Sequence, residues 1–191
     1  MKRILLAAAI ASVVMLAGCA STSESSPASA SAAAPAATST ARSAGVNLAS
    51  ASGSLVSGKL TVKPMGDGVH ITGEIGGLVP GSTHGFHIHE KGDCSAADAS
   101  SAGGHFNPAA SPHGKAETGP HHAGDADNLI ADAQGVAKVD AHFGGVTLGG
   151  GASNDVAGKA VIVHASPDDY TSQPAGNAGA RVACGVITVT Q

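Results

Sequence analysis

Beyond residue 45 the apolar residues of this chain come in short alternating runs, and no window carries a sustained helical period. Val69-His70-Ile71-Thr72-Gly73-Glu74-Ile75 is the clearest case: alternation of this kind turns one face of an extended strand toward a core and the other toward water. Further strand-like runs lie at 46–51, 58–63, 83–89, 128–133, 136–143, 159–164 and 184–190, separated by turn signals such as Pro80-Gly81 and Gln134-Gly135. Aromatic residues make up only 2% of the sequence, so the core must be built from Val, Ile, Leu and Ala. The 27 glycines are scattered, as turns in a β protein require. These features predict an all-β fold of about eight short strands, an antiparallel Greek-key sandwich or flattened barrel. Two long segments without period, 90–127 and 166–181, are expected to be functional loops.

The N-terminal part differs in kind. Lys2 and Arg3 precede an apolar stretch too short to span a bilayer comfortably, and the stretch ends in Leu16-Ala17-Gly18-Cys19. That ending resembles the lipobox of bacterial lipoproteins, which implies removal of residues 1–18 and lipidation of Cys19. An ordinary secretory signal is the plainer alternative, and both export the chain. Residues 19–45 are almost wholly Ser, Ala, Thr and Pro and read as a flexible tether, leaving 46–191 as one domain. The formal charge of −4 and the lack of a basic patch exclude nucleic acid as an expected partner. Of the three cysteines, Cys19 belongs to the lipobox. Cys94 and Cys184 are then an even pair in an exported domain, which predicts a disulfide.

The chemistry-bearing residues are histidines. His87 and His89 are two apart on an expected strand, so both imidazoles leave the same face. A lone His-x-His pair is weak evidence for a metal, but His105, His113, His122, Asp125 and His164 follow it. Six imidazoles and a carboxylate are too many for one tetrahedral site and enough for two that share a residue. His113, His122 and Asp125 sit in one loop and suit zinc, whereas an all-imidazole set also suits Cu(II) or Ni(II). His87, His89 and His164 lie at strand ends, and His105 falls between the two sets. His70 and His142 are expected to be solvated strand histidines, and His121 is expected to point away from the group that its neighbour His122 joins.

In order, Gly85-Phe86-His87-Ile88-His89-Glu90, Gly104-His105-Phe106-Asn107-Pro108, His113-Gly114, His122-Ala123-Gly124-Asp125, Val163-His164, Pro167-Asp168-Asp169 and the run from Gly176 through Arg181 to Cys184 and Gly185 resemble the copper/zinc superoxide dismutase family. The resemblance implies copper on His87, His89, His105 and His164, and zinc on His105, His113, His122 and Asp125, with His105 bridging. It implies that Asp168 hydrogen-bonds one ligand of each metal and that Arg181 guides the superoxide anion. It implies an intrasubunit Cys94–Cys184 disulfide and a structural, non-ligating role for His84. The long Cys94-to-His105 spacing looks like that of the bacterial branch, whose members occur as monomers and as homodimers. The implied enzyme faces the periplasm on a lipid anchor, with the outer membrane as the expected site. The charged Glu/Lys group by which the eukaryotic branch steers its substrate is missing between Asp168 and Arg181, which leaves Arg181, the metals and Lys91 or Lys115 as candidates for that role. The alternative is a non-catalytic copper- and zinc-binding envelope lipoprotein.

Overall fold

The computed structural model describes residues 38–190. The expected signal peptide, Cys19 and the tether as far as residue 37 lie outside the described residues. Ten strands occur in the order β1 Ser43–Ser50, β2 Ser57–Met65, β3 Gly68–Gly76, β4 Thr83–His84, β5 Phe86–His89, β6 Leu129–Ile130, β7 Ala137–Gly144, β8 Ala160–His164, β9 Arg181–Val186 and β10 Thr188–Thr190. Eight form one curled sheet in the order β5-β8-β9-β1-β2-β3-β7, with β10 also paired to β1, while β4 and β6 make a small sheet of their own. Every strand pairing is antiparallel. The all-β expectation and the two long loops hold, and the only helical turn among the described residues is a 3₁₀ turn at Ser100–Ala102.

The sheet curls because β1 serves two halves. Its first half pairs with β2 and β10, and its end, Ala49 and Ser50, pairs with Cys184 and Ala183 of β9. Ordered structure therefore begins before residue 46. Ala44 is buried in phase with Val46 and Leu48, and the amides of Thr40 and Ala41 both donate to Leu148 O at 3.0 Å. Small residues that composition alone assigns to the tether are strand and anchor here, because pairing with β2 and β10 and with Leu148 O decides.

The main core is aliphatic, with Val62, Ile71, Ile75, Val161, Val163 and Ile187 among its members. Phe86 and Phe143 meet inside it with ring centroids 6.2 Å apart. A smaller cluster of Ala51, Ala99, Ala102, Ala160, Ile162 and Cys184 packs around the disulfide end. Gly85 interrupts the expected 83–89 strand and divides it into β4 and β5. Its amide donates to Ser166 O, and a methyl group there would lie 2.9 Å from the Ala178 side chain. The two histidines expected to be solvated are half-buried on the sheet surface: His70 Nε2 lies 2.5 Å from Asp140 Oδ1, and His142 Nε2 lies 3.0 Å from Asp67 Oδ1.

Candidate metal centre

Strand β5 sets the first two residues of the centre. Phe86 and Ile88 point into the main core, so by the two-residue period His87 and His89 point to the opposite face. On the neighbouring strand Val161 and Val163 join the same core, which sends Ile162 and His164 the other way. The β8–β9 register shifts between Val163 and His164 and brings His164 opposite Arg181. Irregularities of this kind re-aim side chains at the ends of sheets and beside sites. His105 is fixed by an isolated bridge to His89. The first long loop then delivers His113, His122 and Asp125 beneath it.

All seven sequence-predicted ligand residues are buried and converge into two groups that share His105. One potential ligand atom from each of His87, His89, His105 and His164 lies within 4.8 Å of the others. The same holds for His105, His113, His122 and Asp125. The His87 and His105 rings lie with centroids 4.0 Å apart, and the His105 and His122 rings are perpendicular at 5.3 Å. His122, not His121, enters the second group; the His121 ring turns back to donate from Nδ1 to Gly119 O at 2.7 Å.

The hydrogen bonds fix which nitrogen faces inward. His87 donates from Nε2 to Asp168 Oδ2 at 2.7 Å. His89 donates from Nδ1 to Gly103 O at 2.9 Å, and His164 from Nδ1 to Gly179 O at 3.3 Å. His113 donates from Nε2 to Asp168 Oδ1 at 2.9 Å. Carboxylates and carbonyls accept only, so in each ring the bonded nitrogen carries the hydrogen and the other keeps a lone pair. Those other atoms, His87 Nδ1, His89 Nε2, His113 Nδ1 and His164 Nε2, are buried without a hydrogen-bond partner, as are His105 Nε2 and His122 Nδ1. Burying so many unpaired nitrogens is costly unless something accepts their lone pairs. A pair of metal ions fits: Asp125 Oδ1 lies 2.7 Å from His105 Nδ1 and 3.3 Å from His122 Nδ1, and Oδ2 lies 3.0 Å from His113 Nδ1.

Burial also settles the charge. It pushes the His89 imidazole down to about 2 and the His164 imidazole to about 4, and it holds His87 well below its ordinary value, with His105 adding to the effect. Burial alone would raise Asp125, but contact with His105 and the backbone N–H of His122 hold it below the usual carboxylate range. His87, His89 and His164 are thereby kept as neutral imidazoles and Asp125 as an ionised carboxylate, the state that metal binding needs.

Sequence reasoning named Asp168 and His84 as supports but missed others. Gly103 O, Asn128, Tyr170 and Gln173 hold the loops in place, and nothing in the residue types or spacing marks them. His84 is buried, with Nδ1 donating to His164 O at 2.7 Å and Nε2 2.6 Å from Ser82 Oγ, so it positions the backbone of a site residue. Arg181 donates to Ala99 O at 2.7 Å and to Gly103 O at 2.6 Å. Partial burial lowers its pKa from the ordinary arginine value, yet it remains a cation. Cys94 and Cys184 are joined, with Cα atoms 5.8 Å apart. Lys115 lies over the Tyr170 ring at 5.3 Å and 3.8 Å from Asp127 Oδ1.

The sequence profile of copper/zinc superoxide dismutase (SODC) matches residues 56–187, which span both groups and the disulfide. The chain belongs to the copper/zinc superoxide dismutase family. Within that family it is 41% identical over 147 residues to superoxide dismutase [Cu-Zn] 2 of Aquifex aeolicus, covering 75% of this chain and 85% of that protein. It is 43% identical over 136 residues to the superoxide dismutase [Cu-Zn] of Caulobacter vibrioides, covering 69% and 78%. Among solved structures it is similar to a SOD-like protein from Bacillus subtilis, with a TM-score of 0.68 at 39% identity, covering 75% of this chain and 97% of that one. It is also similar to the clock protein EA4, with a TM-score of 0.70 at 35% identity, covering 81% and 98%.

Proposed function

We propose that the chain is a superoxide dismutase in which His87, His89, His105 and His164 hold copper while His105, His113, His122 and Asp125 hold zinc. The observation that carries the assignment is the convergence of unpaired, buried ring nitrogens on two points that share His105. When bound, copper supplies alternating one-electron reduction and reoxidation, which turns superoxide into O2 and hydrogen peroxide, and zinc supplies a fixed charge without redox chemistry.

The residues do the rest. Arg181, paired opposite His164, holds a guanidinium fixed by two carbonyls so that it need not reorganise as an anion arrives. His105 Nε2 would take a proton from solvent when superoxide is oxidised and return it to the departing peroxide, whose second proton would come from water. Asp168 keeps His87 and His113 in one tautomer through the cycle by accepting from both rings.

The anchor is part of the same reading. Lipidation of Cys19 would tether the domain to the envelope, and the Cys94–Cys184 disulfide suits an oxidising compartment outside the cytoplasm. Labelled fatty acid incorporated into the wild-type chain and absent from Cys19→Ala is the expected result; equal labelling of both overturns the anchor.

The test of the activity is superoxide dismutation by protein loaded with copper and zinc, with His105→Ala and Arg181→Ala beside it. Activity lost in the first variant and reduced in the second is expected. No activity in wild type carrying both metals would favour a metal-holding envelope protein instead.

A further inference from the structure

The two long loops hold each other by a reciprocal pair of side-chain amides. From the second loop, Gln173 Oε1 accepts from His113 N at 2.8 Å, and Gln173 Nε2 donates to His113 O at 2.8 Å. From the first loop, Asn128 Oδ1 accepts from Asp168 N at 2.8 Å, and Asn128 Nδ2 donates to Asp168 O at 2.9 Å. Each amide satisfies both backbone polar groups of one residue, as a paired strand would. Between them lies the contact they frame, from His113 Nε2 to Asp168 Oδ1 at 2.9 Å.

We propose that Gln173 is a positioning residue for the zinc half of the centre, fixing the His113 backbone so that its Nδ1 stays aimed at zinc; this rests on the ligand assignment made above. The geometry makes the role specific. The His113 ring is held at Nε2 by Asp168, so its remaining freedom is movement of its own backbone, which no strand restrains. Gln173 supplies that restraint from an exposed position. Its hydrogen bonds go to His113 and to Thr171 of its own loop and to none of the four residues of the all-histidine group, so its loss acts on one metal more than on the other.

The experiment is release of zinc and of copper to chelators from fully loaded protein, comparing wild type, Gln173→Leu, Gln173→Glu and His113→Ala. Gln173→Leu removes both bonds at similar size and is expected to release zinc about tenfold faster, the scale on which outer supports of a metal act. Copper release should stay within about twofold of wild type, because the supports of His87, His89 and His164 are untouched. Gln173→Glu can still accept from His113 N but cannot donate to His113 O, so it should fall between the two. Equal acceleration of both metals overturns the proposal in favour of general loosening. Zinc release at the wild-type rate in Gln173→Leu, with His113→Ala fast, overturns the clamp and leaves the ligand assignment standing. Zinc release at the wild-type rate in His113→Ala overturns the assignment itself. Should Gln173→Leu not fold, Gln173→Glu decides alone: release faster than wild type supports the clamp, and release equal to wild type overturns it.

Discussion

Arg181 and His89 donate to the same carbonyl oxygen, Gly103 O, at 2.6 and 2.9 Å. One backbone atom thus sets both the tautomer of a proposed copper ligand and the place of the cation proposed to meet the substrate. Gly103 follows the 3₁₀ turn Ser100–Ala102, and Arg181 also binds Ala99 O just before it. The guanidinium is anchored to the segment that carries the bridge histidine, and its distance from the site is fixed by backbone.

Arg181→Lys should therefore behave much like a loss of function. An ammonium is a point donor and cannot meet two carbonyls in one plane while facing outward. We expect kcat/KM to fall about tenfold or more, with copper content unchanged and the dependence on ionic strength retained, because the positive charge stays while its placement is lost. Stopped-flow decay of superoxide across salt concentrations measures both, and a Lys variant with wild-type rate and salt response would show that the two carbonyl contacts are dispensable.

The disulfide restrains the same segment. Ser101 Oγ donates to Asp93 O at 2.8 Å beside Cys94, and Cys94 is bonded to Cys184 of β9. The double variant Cys94→Ser, Cys184→Ser should lose about 2–5 kcal/mol of stability, as removal of a native disulfide from a small exported domain does. Activity of the folded fraction should fall as well, because the acceptors of Arg181 are no longer held. Thermal melting with and without reductant reads the first effect. A variant that melts earlier at full specific activity would separate the disulfide from the placement of Arg181.

Gly176 is a position where no other residue fits. Its backbone has φ +64°, and a Cβ there would lie 2.7 Å from His113 Nε2 and inside the Asp168 carboxylate. Gly176→Ala must displace the group that joins the two metal sites, at a cost of about 1–3 kcal/mol for the strained backbone before the clash is counted. Zinc content after dialysis should drop, with His87 also losing its partner. Full retention of zinc would mean that the loop moves aside freely, against the ordering by Asn128 and Gln173 described above.

How much of this was legible beforehand follows from what each feature depends on. The strands came from alternation, and the ligand residues came from spacing and chemistry, because few residue types bind metals. The phase of β5 told which face His87 and His89 share. What could not be read was the start of β1, since Ser43 to Gly45 have a linker's composition and become strand only by pairing with Val62, Thr61 and β10. Other supports were also hidden. Gln173 and Gly103 act through backbone atoms, and a carbonyl carries no signature in the sequence. His142 reads as a free strand histidine, but Asp67, from the turn before β3, reaches it across the β3–β7 pair.

The buried imidazoles make a last prediction about pH. In the unfolded chain a histidine takes up its proton near 6.5. In the fold, burial holds His164 at about 4 and His89 at about 2, and His87 is lowered as well. Between those values and 6.5 the unfolded chain binds protons that the folded chain refuses, so stability rises with pH there. The stability of the metal-free protein should be full above about pH 6.5 and should fall steadily as pH drops toward 4. A drop of about 5 °C or more in melting temperature between pH 7 and pH 5 is the expected size. Bound metals oppose the same protons, so the loaded protein should keep its melting temperature to lower pH and then lose metal and stability together. Calorimetric melting of both forms across this range makes the comparison. A metal-free protein whose melting temperature holds level or rises on acidification would mean that these rings are already exposed or already charged in the fold.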